Sequence, residues 1–400
     1  MPETVELLHS TVKPQIQPHI QQSSTENTPP EINITLDQED YIQMFSKWKE
    51  KTTTSPSGRH LGHYKAILKE KDIIQYHCIM SELPLKYGFT PTRWTKAIQI
   101  MLEKNPGNPL LHRLRGILIL EADLNWVLRL IWGQRLFKNS VKTQTLMTAQ
   151  QARPGYHSIT APLNKVLAYD HMRLTKRDGA SFDNDAEGCY DRIVPPHALL
   201  CCRRMGLPKS AAQMMGNVLQ QTVYKLKTGH GISESVYYST SRRRILGSGQ
   251  GSGASPCIWT LVLDPILSSI SKKHNCLQII SPTKKKINRI GDVFVDNTAL
   301  FLILSYKEDP KNITPEYIAS KMQEIAQNFE RKLYSTGGSL SLPKCFWYLI
   351  HWKWDEEGNA HMAKIQSSLT EINLTKGNFL TKYTIKREEI INARRTIGVG

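Results

Sequence analysis

Asp185-Ala-Glu-Gly-Cys-Tyr190-Asp191 reads as the end of a strand running into a turn, and the rest of the chain is read outward from it. Downstream lie Gly247-Ser-Gly-Gln250-Gly251-Ser252 and Phe294-Val295-Asp296-Asn297. Asp296-Asn297 falls at a tight-turn position between apolar arms, so residues 287–304 read as a β-hairpin. A strand end and a hairpin turn are places from which side chains of neighbouring strands can meet. Asp185 and Asp296, 111 residues apart, are therefore expected to form one pocket whose carboxylates grip divalent metal ions. Singly, each aspartate reads as turn punctuation; the ordered set of three stretches carries the expectation. Asp191 reads as a local cap rather than a ligand.

Away from these stretches, residues 1–33 are polar, Pro-bearing and aperiodic, which predicts a disordered lead-in. Tyr41, Met44, Phe45 and Trp48 recur with helical spacing after Asp37, a capped amphipathic helix, and a second helical pattern covers 72–85. Residues 97–102 and 116–120 are apolar runs around the turn cluster 105–109, expected as paired strands with Lys104 and Arg115 at their ends. Further helices are expected around 127–131, on the stripe Ile159, Leu163, Val166 and Leu167, from Pro195-Pro196 through Cys202, and over 211–225 and 255–271. Ile318, Met322, Ile325, Phe329 and Leu333 form one stripe and predict a helix over 315–334. Residues 234–246 read as strands ending at Arg242-Arg243-Arg244.

Composition narrows the class. A 400-residue chain with 40% hydrophobic residues can bury real cores, and a formal charge of +17 attracts polyanions, of which nucleic acid is the commonest inside cells. The seven cysteines show no CxxC pair or zinc-finger spacing, which fits reduced thiols. The start lacks a signal-peptide pattern, and the longest apolar stretch, 257–267, is broken by Asp264. An intracellular protein, nuclear or cytoplasmic, not secreted and without a membrane partner, is expected.

The same stretches suggest a chemistry. Joining a nucleotide to a strand uses two metal ions about 3.5 to 4 Å apart, held by carboxylates. Tyr190, five residues after Asp185, could lie under an incoming sugar and exclude a 2′-hydroxyl, although a lone aromatic usually belongs to a core. The glycines around Gln250 and Gly251 run into a helical pattern, so backbone can approach a nucleotide there while Gln250 supplies an amide; a flexible linker is the other reading. Lys104 and Arg115 suit a triphosphate, and Arg242–Arg244, Lys284–Lys286 and Arg394-Arg395 suit a phosphate path or a solvated face. Cys201, Cys202, Trp347, Trp352 and Trp354 are assigned to packing.

With these residues in view, residues 56–399 resemble the reverse transcriptase domain of non-LTR (LINE-type) retrotransposons. The resemblance implies an α+β fold, a right-hand polymerase with fingers and an antiparallel palm sheet backed by helices. It implies RNA-directed DNA synthesis with Mg²⁺ or Mn²⁺, using an RNA template, a DNA primer and deoxynucleoside triphosphates. The implied domains are a lead-in over 1–33, N-terminal helices and fingers over 34–178, and a palm over 179–400 with a fingers-type segment within about 195–245. By this resemblance Asp185 and Asp296 look like the catalytic metal ligands, Tyr190 like the steric gate, and Gln250 with Gly251 like the template and nucleotide contact. Lys104 and Arg115 look like the fingers residues on the triphosphate. Residues 151–158, with Arg153 and Gly155, look like a template-contacting loop; Lys344 resembles the lysine that protonates pyrophosphate; Gly398 belongs to the start of a primer grip.

Three departures accompany the match. Asn297 stands where the family has a second Asp, Gly116 where it usually has Pro, and Cys189 where it has Ala. The loss of one charge beside the metals is expected to lower activity. The chain is also expected to lack the thumb, an endonuclease and an RNase H domain. A catalytically inactive nucleic-acid-binding remnant of such an element is the alternative.

Overall fold

Gly179–Asp185, which is buried although four of its seven residues are polar, and the apolar run Asn297–Ile303 pair antiparallel, with Asn297 opposite Asp185 and Ala299 opposite Asp183. They are the centre of a six-stranded sheet ordered Ile372–Thr375, Lys382–Glu388, Phe346–Ile350, Gly179–Asp185, Asn297–Ile303, Gly291–Phe294. The computed structural model describes residues 29–49, 55–108, 110, 113–153, 156–274, 277–280, 286–304, 313–365, 370–377 and 379–389. The described residues of 20–145 with 190–262 form one compact unit and those of 146–189 with 263–400 a second, which holds this sheet. Both units mix helix and strand. The expected lead-in falls outside the described residues up to 28.

The sheet is not antiparallel throughout, as was expected: Phe346–Ile350 and Lys382–Glu388 run parallel. Between them the chain makes the hairpin Trp352–Trp354 with Ala360–Met362 and then the edge strand Ile372–Thr375. A parallel partner needs such a long return path.

Two helices cover the sheet's faces. Pro315–Ser335 starts at Thr314, whose hydroxyl accepts from the Tyr317 N–H, with Pro315 in the first turn. Its stripe of Ile318, Met322, Ile325, Phe329 and Leu333 is buried, as predicted, against the face bearing Phe182, Leu300 and Leu302. The same helix seals the sheet's edge. Gln323 bonds both the N–H and the carbonyl of Asn373 at 2.6 Å, and Gln327 bonds those of Thr375 at 2.8 and 3.0 Å, so two side-chain amides stand in for a missing strand.

Thr160–Leu174 lies on the opposite face and reverses the expected orientation. It buries Ala161, Lys165, Ala168 and Met172, while Ile159, Leu163, Val166, Leu167 and Leu174 are exposed, Leu163 at 55% and Leu174 at 72%. The face beneath it carries Ser181 and Asp183, which take the Lys165 cation, beside Phe301, Ile303 and Ile350, which take Ala168 and Met172. Two boundaries also move. The hairpin turn is Val295-Asp296 and Asn297 already belongs to the strand, while Lys286–Arg289 pairs with Leu277–Ile280.

The first unit is built on Gln38–Lys47, Lys71–Tyr87, Pro195–Arg204, Lys209–Gln221 and a helix from 122 to 142 whose middle, Arg129–Leu136, is π-wound. Asp37 caps the first of these as expected, and the Asp40 side chain returns a bond to the Asp37 N–H. Its sheet orders Leu114–Ile119, Lys96–Glu103, Val223–Thr228 and Gly231–Ile232, with Tyr237–Tyr238 also on Val223–Thr228. The helix expected over 211–225 therefore stops at Gln221: Thr222-Val223 is β-branched, and the alternating run after it pairs parallel with Lys96–Glu103. Of the strands expected over 234–246 only Tyr237–Tyr238 forms.

Candidate active site

In the second unit Asp185 ends its strand, Asn297 faces it across the ladder, and the Ala186 N–H donates to the Asp296 carbonyl at 3.0 Å. Asp185, at its strand end, and Asp296, in the turn before Asn297, thus lie at the same end of the sheet. Val295, beside Asp296, has φ +58°, a left-handed conformation unfavourable for a β-branched residue and of the kind that stores about 1 to 3 kcal/mol at functional sites. The turn is held by its arms and by a flanking segment, through Val293 N–H to Ala149 carbonyl at 2.9 Å and Gln151 N–H to Val293 carbonyl at 2.8 Å.

A third segment closes on Asp185. Glu187 N–H donates to the Ser339 carbonyl at 2.8 Å and Ser341 N–H to the Asp185 carbonyl at 2.9 Å, which brings the turn Leu342–Lys344 alongside. The Lys344 ammonium lies 3.1 and 3.2 Å from the two carboxylate oxygens of Asp185. The Asn297 amide donates to the Asp296 carboxylate at 3.2 Å. Two carboxylates at one sheet end, one of them already neutralised by an ammonium, fit a divalent cation with hard oxygen ligands. Asn297 adds an N–H donor beside them. No cluster of three or more His, Cys, Asp or Glu side chains suited to a metal occurs among the described residues.

Behind this end lies a polar row that sequence reasoning missed. Asp183 and Asp292 flank Ala299 on its two neighbouring strands, and both are buried. Lys165 places its ammonium 2.6 and 2.7 Å from the Asp183 oxygens, beneath the rings of Tyr348, Tyr169 and Phe346 at 4.9, 5.9 and 6.0 Å. Asp292 pairs with Arg289. Burial raises the Asp183 carboxyl against the pull of Lys165, and burial pushes Asp292 up to about 6 despite Arg289. The alternation Ser181-x-Asp183-x-Asp185 put a second acid on the Asp185 face, the one signal that could have found this row.

The first unit holds Tyr190, Gln250, Gly251, Lys104 and Arg115. Ser248 N–H donates to the Tyr190 carbonyl at 2.8 Å and Gly247 N–H to the Ile193 carbonyl at 2.7 Å, so the glycine turn lies along the segment after Tyr190. Gln250 gives its carbonyl to the Leu118 N–H at 2.5 Å and its side-chain amide to Asp191 at 3.1 Å. Asp191 is therefore a partner of Gln250 rather than only a local cap. Loss of solvation raises its carboxyl, opposed by Gln250 and by Lys104. Gly251 has φ +113°, and a β-carbon on it would come 2.3 Å from the Leu118 carbonyl oxygen, so close backbone approach there serves the strand Leu114–Ile119. Lys104 and Arg115 are exposed at the end of the Lys96–Glu103 and Leu114–Ile119 pair where the two strands are connected.

Arg153 turns its guanidinium onto the carbonyls of Met147 and Gln150, tying its own loop. Gly155 and Gly398, like Lys284, Lys285, Arg394 and Arg395, lie outside the described residues. Cys201, Cys202 and Trp347 are buried, consistent with packing. No helix among the described residues is long and apolar enough to cross a membrane. Comparison with known protein families finds no match to this chain, and neither does comparison with curated proteins.

Proposed function

We propose that the chain is the fingers and palm of an RNA-directed DNA polymerase of the non-LTR retrotransposon kind. The reading is carried by the ladder register that brings Asp185 and Asp296, distant in sequence, to neighbouring strand ends with Lys344 on the first. Mg²⁺ or Mn²⁺ held by Asp185 and Asp296 would supply charge neutralisation at the phosphates and activation of the primer 3′-hydroxyl. The remaining roles fall to the chain itself. Lys344, on an exposed turn, delivers a proton to the leaving pyrophosphate; Lys104 and Arg115 take the triphosphate of a deoxynucleotide; Gln250, steadied by Asp191, and Gly251 line the nucleotide; Tyr190 restricts the sugar.

One observation favours a second reading, an inactive nucleic-acid-binding remnant: Asn297 directs an N–H at Asp296 where a carboxylate would hold a second ion. Primer extension on an RNA template separates the two. Extension by the unaltered chain, abolished in Asp185→Ala, supports an active polymerase. Silence of the unaltered chain with extension by Asn297→Asp supports the remnant, which should also bind RNA in a salt-sensitive way without Mg²⁺. Silence of both forms sinks the polymerase chemistry.

A further inference from the structure

We propose that Lys344 is the resident counter-cation of the Asp185–Asp296 pocket, an internal ligand that a divalent ion must displace. The inference rests on the reading of that pocket as a metal site and adds a device that regulates its loading.

Three observations carry it. The ammonium engages both oxygens of Asp185, at 3.1 and 3.2 Å, and so lies where a cation bound by that carboxylate would lie. The turn that bears it is fastened to the same strand end by the Ser341 to Asp185 and Glu187 to Ser339 backbone bonds, so the ammonium is delivered by a built segment. The other carboxylate is engaged as well, by the Asn297 amide at 3.2 Å. With Asp185 and Asp296 ionised and Lys344 charged, the pocket carries one net negative charge, where a second Asp and no lysine would give three. A divalent ion therefore meets carboxylates one of which is already paired with a cation, and its binding at Asp185 must break the Lys344 pair.

The Lys344 side chain is 65% exposed and that of Asp185 19%, so water and salt weaken the pair and the lysine can swing away once displaced. The competition is therefore modest in size and reversible. It gives Lys344 two positions: on Asp185 before ion binding, and free to meet the pyrophosphate afterwards.

Mn²⁺ binding to the full chain at fixed pH, followed by the electron paramagnetic resonance of the free ion, tests this without any turnover. Lys344→Gln should bind Mn²⁺ about two- to fivefold more tightly than the unaltered chain, and Lys344→Arg should not. Asp185→Asn should bind much more weakly, which identifies the pocket. Unchanged or weaker binding in Lys344→Gln, with Asp185→Asn still weak, overturns the counter-cation while leaving the metal pocket standing. Equal binding in Asp185→Asn and the unaltered chain removes the pocket, and the proposal with it. Displacement is reciprocal, so Mn²⁺ should also speed acetylation of Lys344 by acetic anhydride, read by mass spectrometry. A rate indifferent to Mn²⁺ in a chain that binds the ion at Asp185 overturns the displacement.

Discussion

Pro315–Ser335 turns Ile318, Met322, Ile325, Phe329 and Leu333 onto the six-stranded sheet, whereas Thr160–Leu174, on the other face, turns in Ala161, Lys165, Ala168 and Met172 and leaves its larger aliphatic residues outside. The difference originates in the sheet. One face is Phe182, Leu300 and Leu302; the other interleaves Ala299, Phe301 and Ile303 with the buried polar residues Ser181, Asp183 and Asp292 in the rows leading to Asp185. Toward the Asp185 end this face is polar, and there the helix supplies the Lys165 ammonium; at the other end Ala168 and Met172 pack on Phe301, Ile303 and Ile350. Hydrophobicity decides which helices form here, and the chemistry of the sheet decides which way they face.

The largest effect should come from Lys165. If its helix obeyed the rule of Pro315–Ser335, Lys165→Met would be neutral or stabilising. Because Asp183 would instead be left buried without its cation, the substitution should cost about 3 to 5 kcal/mol in urea unfolding, and Lys165→Met with Asp183→Asn should recover much of it. A neutral Lys165→Met would erase the distinction between the two faces.

Asp292 gives a smaller, pH-dependent effect. Its carboxyl is raised to about 6 from an ordinary 3.8, so the folded chain favours the protonated form. The stability this contributes is complete below about pH 4 and is lost as the pH rises through about 6. Asp292→Asn removes that dependence. Relative to the unaltered chain it should gain about 2 to 3 kcal/mol between pH 4 and pH 7.5. A difference in unfolding free energy that stays flat over this interval would show that the buried row does not sense pH.

Much of this was legible beforehand for local reasons. Asp37 announces its helix through a group that acts within one turn, the stripe from Ile318 to Leu333 announces another, and the place of Asp185 and Asp296 at one end of the sheet follows from a strand end and a hairpin. What was not legible depends on partners distant in sequence. Periodicity places Leu163 and Val166 on one stripe but does not say whether that stripe faces a sheet or water. The bond from Gln250 to Asp191 and the turning of Arg153 onto its own loop depend on how backbone carbonyls and carboxylates are arranged in space. The parallel strand Lys382–Glu388 depends on a return path that no short pattern encodes.

The smallest effect is the sharpest check on the helix orientation. Leu163→Gln and Leu167→Gln alter side chains that are 55% and 54% exposed, so each should change the unfolding free energy by no more than about 0.5 kcal/mol. The same change at Ile325, buried on the opposite helix, removes apolar contacts and strands an amide in the core, at a cost of several kcal/mol. A polar side chain in place of Leu163 also shrinks the exposed aliphatic stripe, which should lower self-association in sedimentation at high protein concentration. If Leu163→Gln proved as damaging as Ile325→Gln, the stripe would have to be covered, and Thr160–Leu174 would differ from Pro315–Ser335 in what it covers rather than in how it faces the sheet.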